Sequence, residues 1–202
     1  MSASVLRDLR DLRVQVIHPP DDEGKNLVDH LKRIGCMVEA VWPIPDAPSE
    51  QADILMLAID FHARDPIRRL LRGHGDNGAA LIAIVDYENP STLQLVLESR
   101  ALAVTEKPIR PFGLLTTIIL ARTLWLERRR TRRQIEKLEG KLSGQNKIQR
   151  AKAILMQTQG MNEDDAHTTL RKQAMAKRTS IEEIATAVIT ANDLLTTKFS
   201  RS

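Results

Sequence analysis

Hydrophobic residues follow two alternating patterns along the first 110 positions. Short apolar runs at 14–17, 37–42, 53–59, 80–85 and 101–105 predict five β-strands, and the run at 53–59 is almost wholly apolar, as in strands buried on both faces of a parallel sheet. Helical spacing at 27–34, 66–72 and 90–99 predicts a helix after three of these strands. Strands that alternate with helices indicate an α/β fold with a doubly wound parallel sheet of five strands.

From Phe112 onward the pattern is helical only, and no proline follows Pro111. The spacing predicts one continuous helix to about Ser143, with a rough heptad seam that Arg128 and Thr131 interrupt. The apolar seam positions are Leu114, Ile118, Ala121, Leu124, Trp125, Ile135, Leu138 and Leu142. Because so long a helix extends beyond a domain of this size, we expect its outer half to pair with its copy in a coiled-coil dimer. The alternative is a helix that folds back on its own chain.

Residues 146–202 predict three short helices. The first covers 147–158 and ends at Gly160, the second begins with Asn162 as its N-cap, and the third begins at Ser180, where Glu183 completes a capping box. Apolar residues at helical spacing predict the core of a small bundle. These are Ile148, Leu155, Leu170, Ile181, Ile184 and Val188.

Composition narrows the class of protein. The single cysteine, Cys36, excludes an internal disulfide and fits a reducing compartment. No apolar run approaches the roughly 18–20 residues that span a bilayer, so we expect a cytoplasmic protein without membrane attachment. The five histidines lack zinc-ligand spacing, no glycine-rich phosphate loop follows a strand, and no nucleophile elbow is visible. The sequence therefore predicts no catalytic activity, no cofactor and no metal.

Positive charge is concentrated in one segment. Residues 122–152 hold eleven Lys and Arg against three Glu, whereas the whole chain has a net charge of only +4. A basic segment of this kind is typical of a surface that binds polyphosphate, although charge runs on long helices are also often only solvated.

The C-terminal helices carry a recognisable motif. The sequence AK-x-x-LM at 151–156 is followed by A-x-x-x-LR-x-x-AM at 166–175. This pattern, which spans about 45 residues, resembles the ANTAR domain, the RNA-binding module of bacterial antiterminators. The resemblance implies that dimers bind paired hairpins in the leader of a nascent transcript and so prevent termination.

The resemblance also implies which residues contact RNA. The basic candidates are available for phosphates or for stacking on loop bases, and they are Lys152, Arg171, Lys172, Lys177 and Arg178. Met175 could stack on a base or fill a gap in the core, and the position in the core is slightly favoured. The small side chain of Ala151 would let RNA approach the backbone closely, although alanine at such a position more commonly serves the packing of helices.

The first 110 residues resemble a response-regulator receiver domain of the flavodoxin-like type. Thr105-Glu106-Lys107-Pro108 matches that family's Lys-Pro after the fifth strand, but His18-Pro19-Pro20 replaces its first acidic pair. Counting from Asp53 places Ala58, which cannot be phosphorylated, at the phosphoacceptor position; Asp60 is the fallback, and Asp86 falls at or beside the hydroxyl position. We expect a pseudo-receiver without a phosphoacceptor, which binds a protein instead.

The whole chain therefore resembles the AmiR-type antitermination regulators. The predicted division is a pseudo-receiver at 1–111, a coiled-coil helix at 112–145 and an ANTAR domain at 146–202. The resemblance implies control by a cytoplasmic, ligand-sensing negative regulator that is similar to periplasmic binding proteins.

Two other functions fit parts of the sequence. A DNA-binding response regulator would use the C-terminal helices as a helix-turn-helix, but both candidate recognition helices begin with acidic residues, at 163–165 and 182–183, which would repel phosphates. A protein-interaction adaptor would leave the basic C-terminal motif unexplained.

Overall fold

The structure, a computed structural model, describes residues 9–75, 78–86 and 90–199. Its strands are β1 (Arg13–Ile17), β2 (Met37–Val41), β3 (Ile54–Ile59), β4 (Ala80–Val85) and β5 (Ala103–Glu106). Its helices are α1 (Asp22–Ile34), α2 (Arg64–Gly73), α3 (Pro90–Ser99), α4 (Pro111–Gln159), α5 (Glu163–Lys177) and α6 (Ile181–Phe199), with a short 3₁₀ turn at Phe61–Ala63. The chain divides into two compact units, 1–130 and 131–202, which we describe separately.

The first unit contains the predicted five-stranded sheet. All strand pairs are parallel and the order is β2-β1-β3-β4-β5, which confirms the doubly wound topology. Every residue of the central strand β3 is buried, as the apolar run at 53–59 predicted. The predicted fifth strand, at 101–105, is shifted by two residues at its start and one at its end.

Side chains alternate between the two faces of the sheet. Ile54 and Met56 of β3 face a cluster with Leu27 of α1 and Leu114 and Ile118 of α4. The intervening β3 residues, Leu55, Leu57 and Ile59, face a second cluster with Ile67 of α2 and Leu95 of α3. Helices therefore cover both faces of the sheet, as its strand order requires.

Helix α4 is a single helix of 49 residues. The sequence predicted two helices here, one ending near Ser143 and another at 147–158, and the structure joins them. Gly144 lies within the helix, where a glycine costs only about 1 kcal/mol relative to alanine and does not break it. A Cβ at Gly144 would lie 2.7 Å from Glu182 Oε1, so the missing side chain leaves room for the Glu182 carboxylate.

The apolar residues along α4 have three different environments. Leu114, Ile118 and Ala121 are buried in the first unit. Ile148 and Leu155 pack in the second unit. Between them, Ile135, Leu138 and Leu142 are 49 %, 58 % and 60 % exposed, so this part of the seam is not covered within the described chain.

Trp125 anchors the first part of α4 to the first unit. Its indole Nε1–H donates a hydrogen bond of 2.8 Å to the Gly78 carbonyl oxygen. The Arg122 and Arg129 guanidinium groups each lie 4.9 Å from the centre of its ring. Arg122 also pairs with Asp53 at 3.2 Å. The indole thus joins a loop before β4 to two basic side chains of α4.

Candidate nucleic-acid interface

The end of α4, helix α5 and helix α6 form the small bundle that the C-terminal pattern predicted. Its core contains Leu155, Leu170 and Ile184, with Ile148, Ile181 and Val188 packed against it, so the predicted core residues are confirmed. Asn162 Oδ1 accepts a hydrogen bond from the Asp165 amide, and Ser180 Oγ accepts one from the Glu183 amide. These side chains satisfy backbone groups that would otherwise lack a partner and fix where α5 and α6 begin.

Two of the predicted contact residues lie inside the bundle. Ala151 is fully buried against α5 and α6 residues of the core. Lys152 is only 7 % exposed, and its Nζ lies 2.5 Å from Glu163 Oε1 at the start of α5. Lys152 is therefore less available to phosphates than the sequence predicts, because its ammonium group is already paired with the Glu163 carboxylate.

The electrostatics of this pair are visible at Glu163. The pKa of the Glu163 carboxyl lies below its ordinary value. The largest cause is the hydrogen bond from Lys152, and the positive charge of the ammonium group adds to it, whereas desolvation opposes them with a smaller effect. A second ion pair joins Arg150 to Asp193 at 3.0 Å. Together the two pairs connect α4 with α5 and with α6.

Three other candidates share the outer face of α5. Ala166, Leu170 and Ala174 face the core. At 100° per residue, Lys172 and Met175 lie about 160° and 140° around the helix from Leu170, and Arg171 lies about 100° from it, on the flank of the outer face. All three are exposed, and Met175 is 72 % exposed. The slightly favoured core position of Met175 is thus wrong: α5 turns this residue off the buried face.

The remaining two candidates lie at the C-terminal end of α5. Lys177 and Arg178 are exposed, and Arg178 adopts a left-handed conformation with φ 53° that stops the helix. Its amide donates to the Met175 carbonyl oxygen. Among the described residues, none of the side chains of Arg171, Lys172, Lys177 and Arg178 has an ion-pair partner. A basic surface with one exposed thioether therefore covers the outer face and the C-terminal end of α5.

The receiver-like site at the carboxyl ends of the strands has a side chain without oxygen at the counted phosphoacceptor position. Ala58 is buried and offers no oxygen ligand. Asp60 Oδ1 accepts the His62 amide at 2.9 Å and so caps the 3₁₀ turn. Asp21 caps α1 by accepting the Gly24 amide, and this bond, with smaller effects of His18 and Lys107, lowers the pKa of Asp21.

A magnesium ion, which receiver phosphorylation requires, does not fit these residues. Pro19 and Pro20 follow β1 where carboxylates would be needed. Within 9–75, 78–86 and 90–199, no group of three or more His, Cys, Asp or Glu side chains could hold a metal ion.

Several contacts could not be found from sequence. The pairing of Lys152 with Glu163 joins residues eleven positions apart across the turn at Gly160, and no spacing rule indicates it. The exposure of Met175 could have been predicted from the sequence, because Ala166, Leu170 and Ala174 define the buried face of α5 and Met175 lies off that face.

Comparisons with known proteins agree with this architecture. The AmiR N-terminal family matches residues 12–122, and the ANTAR domain family matches residues 136–189. The aliphatic amidase regulator of Pseudomonas aeruginosa is 36 % identical over 188 residues, which cover 92 % of this chain and 95 % of that protein. The chain therefore belongs to the AmiR family of ANTAR-domain regulators, a family of transcription antitermination regulators and not a known enzyme family.

Two further proteins match parts of the chain. The nitrate regulatory protein of Klebsiella oxytoca is 41 % identical over 61 residues, which are 30 % of this chain and 15 % of that protein. A CheY-like receiver domain from Methanospirillum hungatei superposes with a TM-score of 0.50 at 16 % identity, and covers 58 % of this chain and 98 % of its own. The second likeness shows the receiver fold alone. No helix of the described residues is long and apolar enough to cross a membrane.

Proposed function

We propose that this chain is an RNA-binding transcription antiterminator that acts as a dimer and is controlled by a partner protein. The observation that carries the proposal is the outer face of α5, where Arg171, Lys172 and Met175 are exposed together. Guanidinium and ammonium groups bind phosphates, and a guanidinium plane can stack on an unpaired base of a hairpin loop. Binding to leader hairpins would disfavour the terminator structure.

The proposed division of labour follows the predicted domains. Residues 1–111 form the pseudo-receiver, 112–145 the dimerisation helix and 146–202 the RNA-binding domain. In the last of these we assign RNA contacts to Arg171, Lys172, Met175, Lys177 and Arg178, and we assign Ala151 and Lys152 to holding the helices in place. The burial of Ala151 and Lys152 supports this assignment.

RNA is favoured over duplex DNA by the charge at the helix starts. A recognition helix presents its N-terminal residues to the major groove. Here α5 begins with three acidic residues and α6 with two, and all five are exposed. The basic side chains lie instead along the outer face and at the C-terminal end of α5, which suits a splayed loop better than a groove.

Dimerisation is assigned to the exposed part of the α4 seam. Ile135, Leu138 and Leu142 recur at heptad spacing, and burying them against a second copy would remove their apolar surface from water. Regulation is assigned to a cytoplasmic, ligand-sensing negative regulator similar to periplasmic binding proteins, because Ala58 provides no phosphoacceptor.

The test compares two double variants in the full chain. Arg171→Ala/Lys172→Ala should lower affinity for the leader RNA of the adjoining operon at least about tenfold at physiological salt, since each lost contact costs on the order of 1 kcal/mol or more. Lys32→Ala/Arg33→Ala removes the same charge from exposed positions on α1 and should leave affinity nearly unchanged. Unchanged affinity in the α5 variant, with an intact circular dichroism spectrum, would refute the assignment.

A further inference from the structure

The middle of α4 carries exposed basic residues that the proposed α5 contact does not use. Arg133, Lys137 and Lys141 are exposed, and none of them forms an ion pair with another described residue. They belong to the second unit, as α5 does. We call these three residues the basic stripe.

Helical geometry places the basic stripe on one line. Its members are four residues apart, so they follow one another along one face at a rise of about 6 Å per step. At 100° per residue, Glu139 lies about 160° from Lys137 and Glu136 about 100° from it. Glu139 is therefore excluded from the stripe, whereas Glu136, three residues from Arg133, lies about 60° from it and borders the first member of the stripe.

The basic stripe is also separate from the apolar seam. Leu138 lies about 100° around the helix from Lys137, and Ile135 and Leu142 lie farther still, at about 160° and 140°. Lys141 lies only about 60° from Leu138 and borders the seam, so a dimer that buries the seam would leave Arg133 and Lys137 open to solvent and Lys141 at the edge of the interface. The two surfaces can therefore be occupied at the same time.

This arrangement differs from that of a helix that is merely solvated. Such helices gain stability when glutamate and lysine alternate four residues apart, whereas like charges at that spacing repel. Arg133 and Lys137, and again Lys137 and Lys141, are like-charged pairs at that spacing. Neither Glu136 nor Glu139 stands four residues from a member of the stripe, so no glutamate offsets this repulsion at that spacing. An uncompensated row of like charges indicates a polyanionic ligand.

We propose that the basic stripe is a second RNA-binding surface, which contacts the phosphate backbone of the leader transcript without reading its sequence. The inference rests on the proposed RNA-binding function and extends it. Lysine and arginine side chains that line up along a helix displace the counterions condensed on the backbone, and such contacts add affinity regardless of the bases. Sequence reading would remain with α5.

The experiment measures RNA affinity of the full chain over a range of salt concentrations. In Arg133→Gln/Lys137→Gln/Lys141→Gln, affinity for the leader RNA should fall at least about tenfold at low salt, and the slope of log affinity against log salt should decrease by about 2–3. The preference for the leader over a scrambled RNA should not change. Lys32→Gln/Arg33→Gln/Arg72→Gln is the matched control, since it removes the same charge from exposed positions of the first unit.

Each alternative outcome is decisive. If the stripe variant keeps natural affinity and slope while Arg171→Ala/Lys172→Ala loses binding, the second surface does not exist and the proposed function stands. An equal fall in the control would attribute the effect to net charge and overturn the proposal. A fall in affinity with an unchanged slope would also overturn it, because it would reflect assembly or folding. If the natural chain does not bind the leader RNA, the proposed function itself fails.

Discussion

The contacts of Trp125 make a quantitative prediction about how α4 is anchored. Trp125→Phe removes the hydrogen bond to the Gly78 carbonyl, worth about 1 kcal/mol. It also weakens two cation–π contacts with Arg122 and Arg129, each worth about 0.5–1 kcal/mol at an exposed site, of which phenylalanine retains part. The free energy of unfolding of the first unit should therefore fall by about 2 kcal/mol.

The assay is urea unfolding of the full chain, followed by far-ultraviolet circular dichroism. Trp42→Phe is the matched control: Trp42 is 43 % exposed, so its replacement should change the unfolding free energy by less than about 0.5 kcal/mol. If the two variants differ by less than about 0.5 kcal/mol, the indole does not anchor α4 and the reasoning is refuted.

Three further predictions concern α4, the bundle and the receiver-like site. Gly140→Ala should stabilise the chain to urea by about 0.5–1 kcal/mol, since a Cβ there meets no atom within 4 Å; destabilisation would contradict a continuous helix. Because Lys152 lowers the pKa of Glu163, their pair should stabilise the bundle above pH 4.5 and lose this effect as pH falls through the lowered pKa. Glu163→Gln should abolish that pH dependence. Incubation with a phosphodonor and Mg²⁺ should leave the intact mass unchanged, and an adduct that Asp60→Ala removes would contradict this.

Most of the fold could be predicted because its signals are local. The buried run at 53–59, the caps at Asn162 and Ser180, and the stop at Gly160, with φ 66°, all depend on residues close together in sequence. The parallel order of the sheet then follows from the alternation of strands and helices.

The features that could not be predicted depend on distant contacts. The need for glycine at position 144, within the helix that joins the two predicted ones, arises from Glu182, nearly forty residues away. The charge of Lys152 and its place in the ANTAR-like motif predict an RNA contact, and only the turn between α4 and α5 brings Glu163 to it. Residue type alone does not show whether a lysine in a small bundle is buried or free.

We propose above that the chain prevents termination by binding the leader transcript, and read-through of the terminator is the direct consequence. The most direct measurement is transcription in vitro from a template that carries the leader and terminator of the adjoining operon, with purified full-length chain and no partner protein. We expect read-through to rise with the concentration of the natural chain and not to rise with Arg171→Ala/Lys172→Ala. Read-through that stays at the basal level with the natural chain, while its leader RNA is intact, would contradict the account.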